Sequence, residues 1–499
     1  MTSITVPKAD YSMEDIVFAL AMLGCGFLYW NLINVATLGA GVTVFAAVFI
    51  TICAIYLKRA GYRQTWKSIA CLMLAALSAS AFAIFDSMLV KALNFIFLSV
   101  VAVYWISMST GRNLDARLSV YIVGDLFNQL LVVPFRNFAC CFGGISQLLS
   151  RDQRGKGVLT GALGILMILP VLVLVASLLA SADAAFDLVV KSIRSAISED
   201  MIKYILQFLM GIPVACYLYG LVYGDRYDRN TNAVTIETVD RYSAACRLIP
   251  ETAVYAGLTA LNLLYAVFFL SQSAYLFSAF SQRLPELMTY SEYARRGFFE
   301  LCAVAAIDLA VITAAHILSK REKERILRAE TAVLCAATLL LIATAISKMI
   351  MYISSYGLTQ LRVYTTWFML LLFFAFAVIA ARQFMAFNAA RIGVIGFVVF
   401  FMILCYGNVD GQIAKYNIDR YKAGSLENLD VTALSYLSDA AVPPMYELYR
   451  DTADEALKGE LADAMGYAAH TDPLDRTGRK TFRDFSLQSF QADRIREML

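Results

Sequence analysis

Apolar residues run along this chain in long unbroken stretches, separated by short polar connections, and the stretches are too long for strands. Counting runs of roughly 18 or more apolar residues gives eleven, near 15–34, 37–57, 69–85, 92–110, 158–180, 203–223, 250–273, 297–318, 330–353, 361–381 and 390–407. Rising about 1.5 Å per residue, a helix of this length crosses the roughly 30 Å hydrocarbon core of a bilayer. The pattern predicts an all-α protein, a polytopic transmembrane helix bundle over residues 1–407. After Asn408 hydrophobicity falls. Segments 411–421, 427–439, 444–457 and 460–468 read as short helices, with Pro443-Pro444 as a helix start, so 408–499 is predicted to be a small helical subdomain.

Two connections are more than loops. Residues 111–157 mix apolar and aromatic positions around Pro134 and Gly143-Gly144, which predicts a helical hairpin lying in the membrane interface, or a short re-entrant pair. Residues 181–202 read as an amphipathic surface helix. No internal repeat is visible, so nothing favours a transporter built from duplicated halves.

Composition agrees with the pattern. Hydrophobic residues make up 60% of the chain and charged ones 16%, against about half and a quarter in soluble domains. The net charge of +3 hides a split: the segment from 408 onward is net −5 and everything before it net +8. Basic residues gather in loops 58–68, 111–157, 224–249, 319–329 and 382–391, whereas the alternate loops are poor in them. By the positive-inside rule the N-terminus is cytoplasmic and the 408–499 segment extracytoplasmic, as an odd number of spans requires. The basic excess thus sets orientation. No basic stripe with interleaved aromatics suggests nucleic acid as a partner.

Of ten cysteines, most stand singly in apolar runs and two as Cys140-Cys141, without C-x-x-C spacing, and the chain has two histidines. Neither a metal site nor a cofactor is expected. The N-terminal MTSITVPKADYSMED has no basic region, and no small-residue cleavage site follows the first run, which reads as a retained anchor.

Charges inside spans are costly and mark candidate sites. Topology brings Glu300, Lys348 and Arg362 to one depth near the outer face, close to Asp86, Arg295 and Arg296. Thr289 and Glu292 form a T-x-x-E capping box ahead of Glu300. One reading makes Glu300–Lys348 a buried structural pair, with Arg295, Arg296 and Arg362 reaching lipid phosphates. The other makes an outward polar pocket in which Lys348 and Arg362 bind an anionic group and Glu300 or Asp86 balances the charge. Tyr352 and Tyr356, beside two serines and Gly357, are placed to line its mouth or to anchor in the headgroups. Asp308 lies about 12 Å deeper than Glu300; it either serves proton or cation coupling, or is a neutral, protonated acid or one bonded to a neighbouring hydroxyl.

The motifs Tyr290-Ser-Glu-Tyr-Ala-Arg-Arg-Gly-Phe-Phe-Glu300-Leu, Ser347-Lys-Met-Ile-Met-Tyr352 and Tyr356-Gly-Leu-Thr-Gln-Leu-Arg362 resemble bacterial multi-pass proteins of an uncharacterised family, domain of unknown function 4173, close to 4153. Asn408-Val-Asp410, Asn417-Ile-Asp-Arg420-Tyr421 and Leu437-Ser-Asp439-Ala-Ala-Val442-Pro443 look like its tail signature, with two alanines where one is expected. The resemblance spans roughly 250–445. It implies a bacterial cytoplasmic membrane and supplies no catalytic residue.

No P-loop, H-E-x-x-H or G-x-S-x-G motif is present. The leading expectation is a non-enzymatic carrier, sensor or accessory protein, with membrane lipids and an envelope ligand or membrane protein as partners. Alternatives are an envelope enzyme acting on a lipid-linked anionic substrate, and a structural scaffold.

Overall fold

The computed structural model describes residues 11–115, 117–149, 199–271, 298–320, 324–467 and 481–499, with scattered positions between 161 and 190. Among the described residues ten helices are long and apolar enough to cross a membrane. They are α1 (Met13–Leu32), α2 (Ala40–Arg59), α3 (Trp66–Ile84), α4 (Met88–Thr110), α8 (Glu199–Arg226), α10 (Glu251–Ser271), α11 (Phe298–Leu318), α12 (Glu324–Tyr356), α13 (Gln360–Phe384) and α14 (Ala389–Tyr406). The chain is a polytopic helix bundle. The run expected at 158–180 lies outside the fully described residues, as does the surface helix expected at 181–202, apart from isolated positions.

Local sequence sets the helix ends. Ser12 opens α1 in a capping box, its side chain accepting from the Asp15 N–H while the Asp15 carboxylate takes the Ser12 N–H at 2.8 Å. Thr65, Thr359 and Asn388 cap α3, α13 and α14 with their side-chain oxygens. α12, at 33 residues, outruns the expected 330–353 at both ends and is about 50 Å long. Its extra turns begin with the charged Glu324–Glu330 stretch, where a count of apolar residues stops but helix propensity does not.

Segment 122–149 is largely helical and packs against the bundle. α5 (Ile122–Phe127) passes through a π-helical turn, Asn128–Val132, into α6 (Val133–Arg136), and α7 (Cys140–Leu149) follows; the short α9 (Ile236–Ala245) lies between α8 and α10. α6 lies along α8 where Gly220 and Gly224 leave room, and a Cβ on Gly220 would sit 2.6 Å from the Pro134 carbonyl oxygen. Asn137 Nδ2 donates to the Val133 and Arg229 carbonyls, both at 2.9 Å. Asp125 is buried here, and burial pushes its carboxyl up to about 6.

Two membrane lobes share the bundle. The first has α1 packed along α8, with α2, α3, α4 and the 133–149 helices around Tyr219, Trp105 and Phe82. The second packs α10, α11, α12 and α13 around Leu334, Ile342 and Phe376. α14 joins them, placing Phe401, Leu404 and Cys405 against Val90 of α4.

α1 begins, and α2, α4 and α8 end, at one face, here termed the N face. At the opposite tail face stand the α1–α2 and α3–α4 loops, the α12–α13 turn and the end of α14. From there α15 (Val409–Lys422), α16 (Val431–Ser435), α17 (Val442–Asp451), α18 (Glu455–Tyr467) and α19 (Leu487–Arg496) follow. They enclose their own core of Ile413, Leu434, Met445 and Leu461, closed by Ala492 of α19.

Candidate functional site at the tail face

Asp86 sits in the three-residue break between α3 and α4, and Lys91 lies one turn into α4. Their ion pair is 2.8 Å long and nearly sealed, with side-chain exposures of 5% for Lys91 and 14% for Asp86. Lys91 Nζ also donates to the Thr37 carbonyl at 3.0 Å. The lid comes from the far end of the chain. Ser486 Oγ donates to Asp86 Oδ1 at 3.4 Å, and the Asp86 N–H donates to Gln488 Oε1 at 2.9 Å. Gln488 Nε2 in turn donates to Asn408 Oδ1 at 2.7 Å.

The same segment grips the α1–α2 loop. Asn34 Nδ2 and Thr37 Oγ1 donate to Asp484 Oδ1 at 2.9 and 2.6 Å, and the Ala40 N–H donates to the Phe485 carbonyl. Burial alone would raise the Asp484 carboxyl, but the bonds from Thr37, Thr481 and Asn34 hold it below the ordinary carboxylate range. Gly39 has no side chain because a Cβ there would lie 2.5 Å from the Asp484 backbone.

Beside Lys91 is a cavity of about 20 Å³ for water-sized occupants, lined among others by Ser87, Asn94, Asn408, Asp410, Ser438 and Gln488. Asp410, 1% exposed, accepts from Gln360 Nε2 at 2.8 Å and from the Ser438 N–H at 3.2 Å. The Ser438 hydroxyl is buried and has no hydrogen-bond partner among the described residues. An ammonium has three donors and Lys91 spends two on Asp86 and Thr37, so this chamber presents a cation, a carboxylate and a free hydroxyl to whatever enters.

The residues singled out from sequence are dispersed. Arg362 stacks its guanidinium 4.0 Å from the Tyr352 ring centre and donates to the Tyr356 carbonyl at 3.0 Å and to that of Gly357. It closes the carbonyl end of α12, a favourable place for a cation. Tyr356 meets Tyr352 edge-on at 5.4 Å. Arg420 of the tail donates to the Ile353 carbonyl and Asn417 pairs with both backbone groups of Leu358, so Arg362, Tyr352 and Tyr356 do meet, in a joint between turn and tail. Lys348 is buried two turns down α12, whereas Glu300 is exposed at the start of α11. Among the described residues no ion pair joins them. Asp86 belongs to the other lobe and to Lys91. Arg295, Arg296 and the Thr289–Glu292 box lie outside the described residues.

Asp308 is 1% exposed, and its Oδ2 accepts from Tyr265 and Thr338 hydroxyls at 2.7 Å each. Asparagine can accept the same two bonds through its carbonyl oxygen, whereas leucine orphans the Tyr265 hydroxyl and leaves Thr338 only its bond to the Leu334 carbonyl. Asp308→Asn should therefore keep the thermal midpoint of the purified protein nearly unchanged, and Asp308→Leu should cost about 2 kcal/mol. A larger loss in Asn than in Leu would show that the carboxylate charge matters.

Sequence reading missed a second polar cluster at the N face. Asp15 is fully buried and accepts from the hydroxyls of Tyr56 at 2.6 Å and Tyr227 at 2.8 Å. Arg226 pairs with Glu14 at 2.9 Å and stacks 4.2 Å from the Tyr56 ring centre. Next to it, Asp225 accepts from Gln129 Nε2 at 3.0 Å and Thr110 Oγ1 at 3.3 Å. The signal was the acids at the ends of the first and sixth runs, which by topology share one face.

A family match covers residues 69–448 and is described as a domain of unknown function, DUF4153. The chain belongs to this family. The match runs from α3 through the second lobe of the DUF4153 protein and into the first half of its tail, well beyond the motifs of 250–445. Kinship with domain 4173 rests on those motifs alone. No curated protein and no solved structure matches the chain.

Proposed function

We propose that this DUF4153 protein is a non-enzymatic sensor or accessory protein of the bacterial cytoplasmic membrane, with its N face cytoplasmic and its tail outside. In this reading the tail is a cap over a polar site built from Lys91, Asp86, Asp410 and Ser438. One observation carries it: segment Asp484–Gln488 holds the first lobe through polar bonds, while the tail's apolar core is complete without that lobe. Polar joints between domains open at modest cost, whereas apolar seams do not. A small polar envelope solute competing for Lys91, Asp410 and Ser438 would shift the cap between closed and open positions.

Asp484→Ala tests the cap. Amides of 484–490 should exchange at least about tenfold faster in nanodiscs, corresponding to about 1.4 kcal/mol, with the spans unchanged. Exchange that stays at the wild-type rate, or rises equally throughout the bundle, would remove the cap as a separate moving part. A carrier is the second reading, favoured by the Asp308–Tyr265–Thr338 cluster within the second lobe.

A further inference from the structure

α19 has two dissimilar sides. Ser489 and Ala492 are buried and Ile495 packs on the tail core. Leu487, Phe490, Arg494 and Met498 recur along the opposite side at helical spacing, and all four are exposed. Just before the helix, Phe482 is 67% exposed and Phe485 38%. Three phenylalanines and a leucine thus stand uncovered on a segment of nine residues.

Their height in the molecule says what meets them. The Phe485 carbonyl is bonded to the N–H of Ala40, the first residue of α2, and the backbone of Arg483 and Asp484 lies against Gly39. The ring side chains are therefore level with the ends of α1 and α2, where hydrocarbon gives way to headgroups. On the α1–α2 loop, Val35 is likewise 67% exposed. An apolar face with arginine at its border, held at that level, matches an interfacial amphipathic helix.

We propose that residues 482–498 form a lipid-binding anchor. Phe482, Phe485, Leu487 and Phe490 enter the boundary between headgroups and acyl chains, and Arg494 pairs with a lipid phosphate while its stem covers apolar surface. The anchor holds the Ser486–Gln488 segment beside Asp86 at the level of the headgroups, and its partner is the surrounding leaflet and not a second protein.

The test places benzoyl-phenylalanine at position 490, at buried position 492, or at exposed span position 93, in nanodiscs of phosphatidylcholine and phosphatidylglycerol. Irradiation should give lipid adducts at 490 and 93 and an internal cross-link at 492. A protein–protein cross-link at 490 would assign the stripe to a second copy and overturn the proposal. So would the absence of a lipid adduct at 490 where position 93 gives one. Because Phe490 is exposed, the substitution leaves the core intact.

Discussion

Replacing Lys91 by methionine should cost about 3–5 kcal/mol and open the tail face. Asp86 is then left as a nearly sealed carboxylate whose cation is gone, with only the Ser486 hydroxyl and distant dipoles to replace it. Methionine fills most of the lysine volume, so the loss reports charge rather than a hole. Adding Asp86→Asn should recover part of it, because neither group is then an orphan. The double-mutant cycle, read by thermal or denaturant unfolding in detergent, should show strong coupling. Additive effects would show that Lys91 and Asp86 act independently, and would sink the account of the site.

The second large effect is at the crossing of α1 and α8. Gly26 and Gly211 face each other so closely that a Cβ on Gly26 would run into the Gly211 carbonyl. Close backbone approach is how membrane helices gain packing where lipid offers no hydrophobic drive. Gly26→Leu should push the helices apart along their whole contact, costing about 3 kcal/mol. Gly24→Leu, one turn-fraction away with open space around it, should be nearly silent. Comparable loss in both, measured as yield of monodisperse protein and its unfolding midpoint, would refute the close crossing.

Spans were legible because a bilayer imposes one rule, a helix with a continuous apolar surface, and that rule is written in consecutive residues. The site was less so. Charge depth placed Asp86 and Arg362 at the tail face, but depth has no azimuth: Asp86 faces Lys91 in one lobe and Arg362 seals a helix end in the other. Lys91 itself stood in the connection before a run and drew no notice. Thr37, which bonds Lys91, and Ser486 and Gln488, which bond Asp86, are neutral residues from remote positions, which no periodicity points to. Asp15 was hidden for a related reason, since the tyrosines that satisfy it look like ordinary interfacial aromatics.

The bonds from Asn34 and Thr37 to Asp484 join residues about 450 positions apart. A ribosome makes the first loop roughly 20–90 s before the segment that closes it, at about 5–20 residues per second. Throughout that interval the α1–α2 loop and the Lys91–Asp86 pair stand open to headgroup water. The membrane domain can be fully inserted and still be unfinished. Closure of the tail face waits for residues 484–488, so a chain that stops before them carries a visible defect there, available to a protease before any span has unfolded.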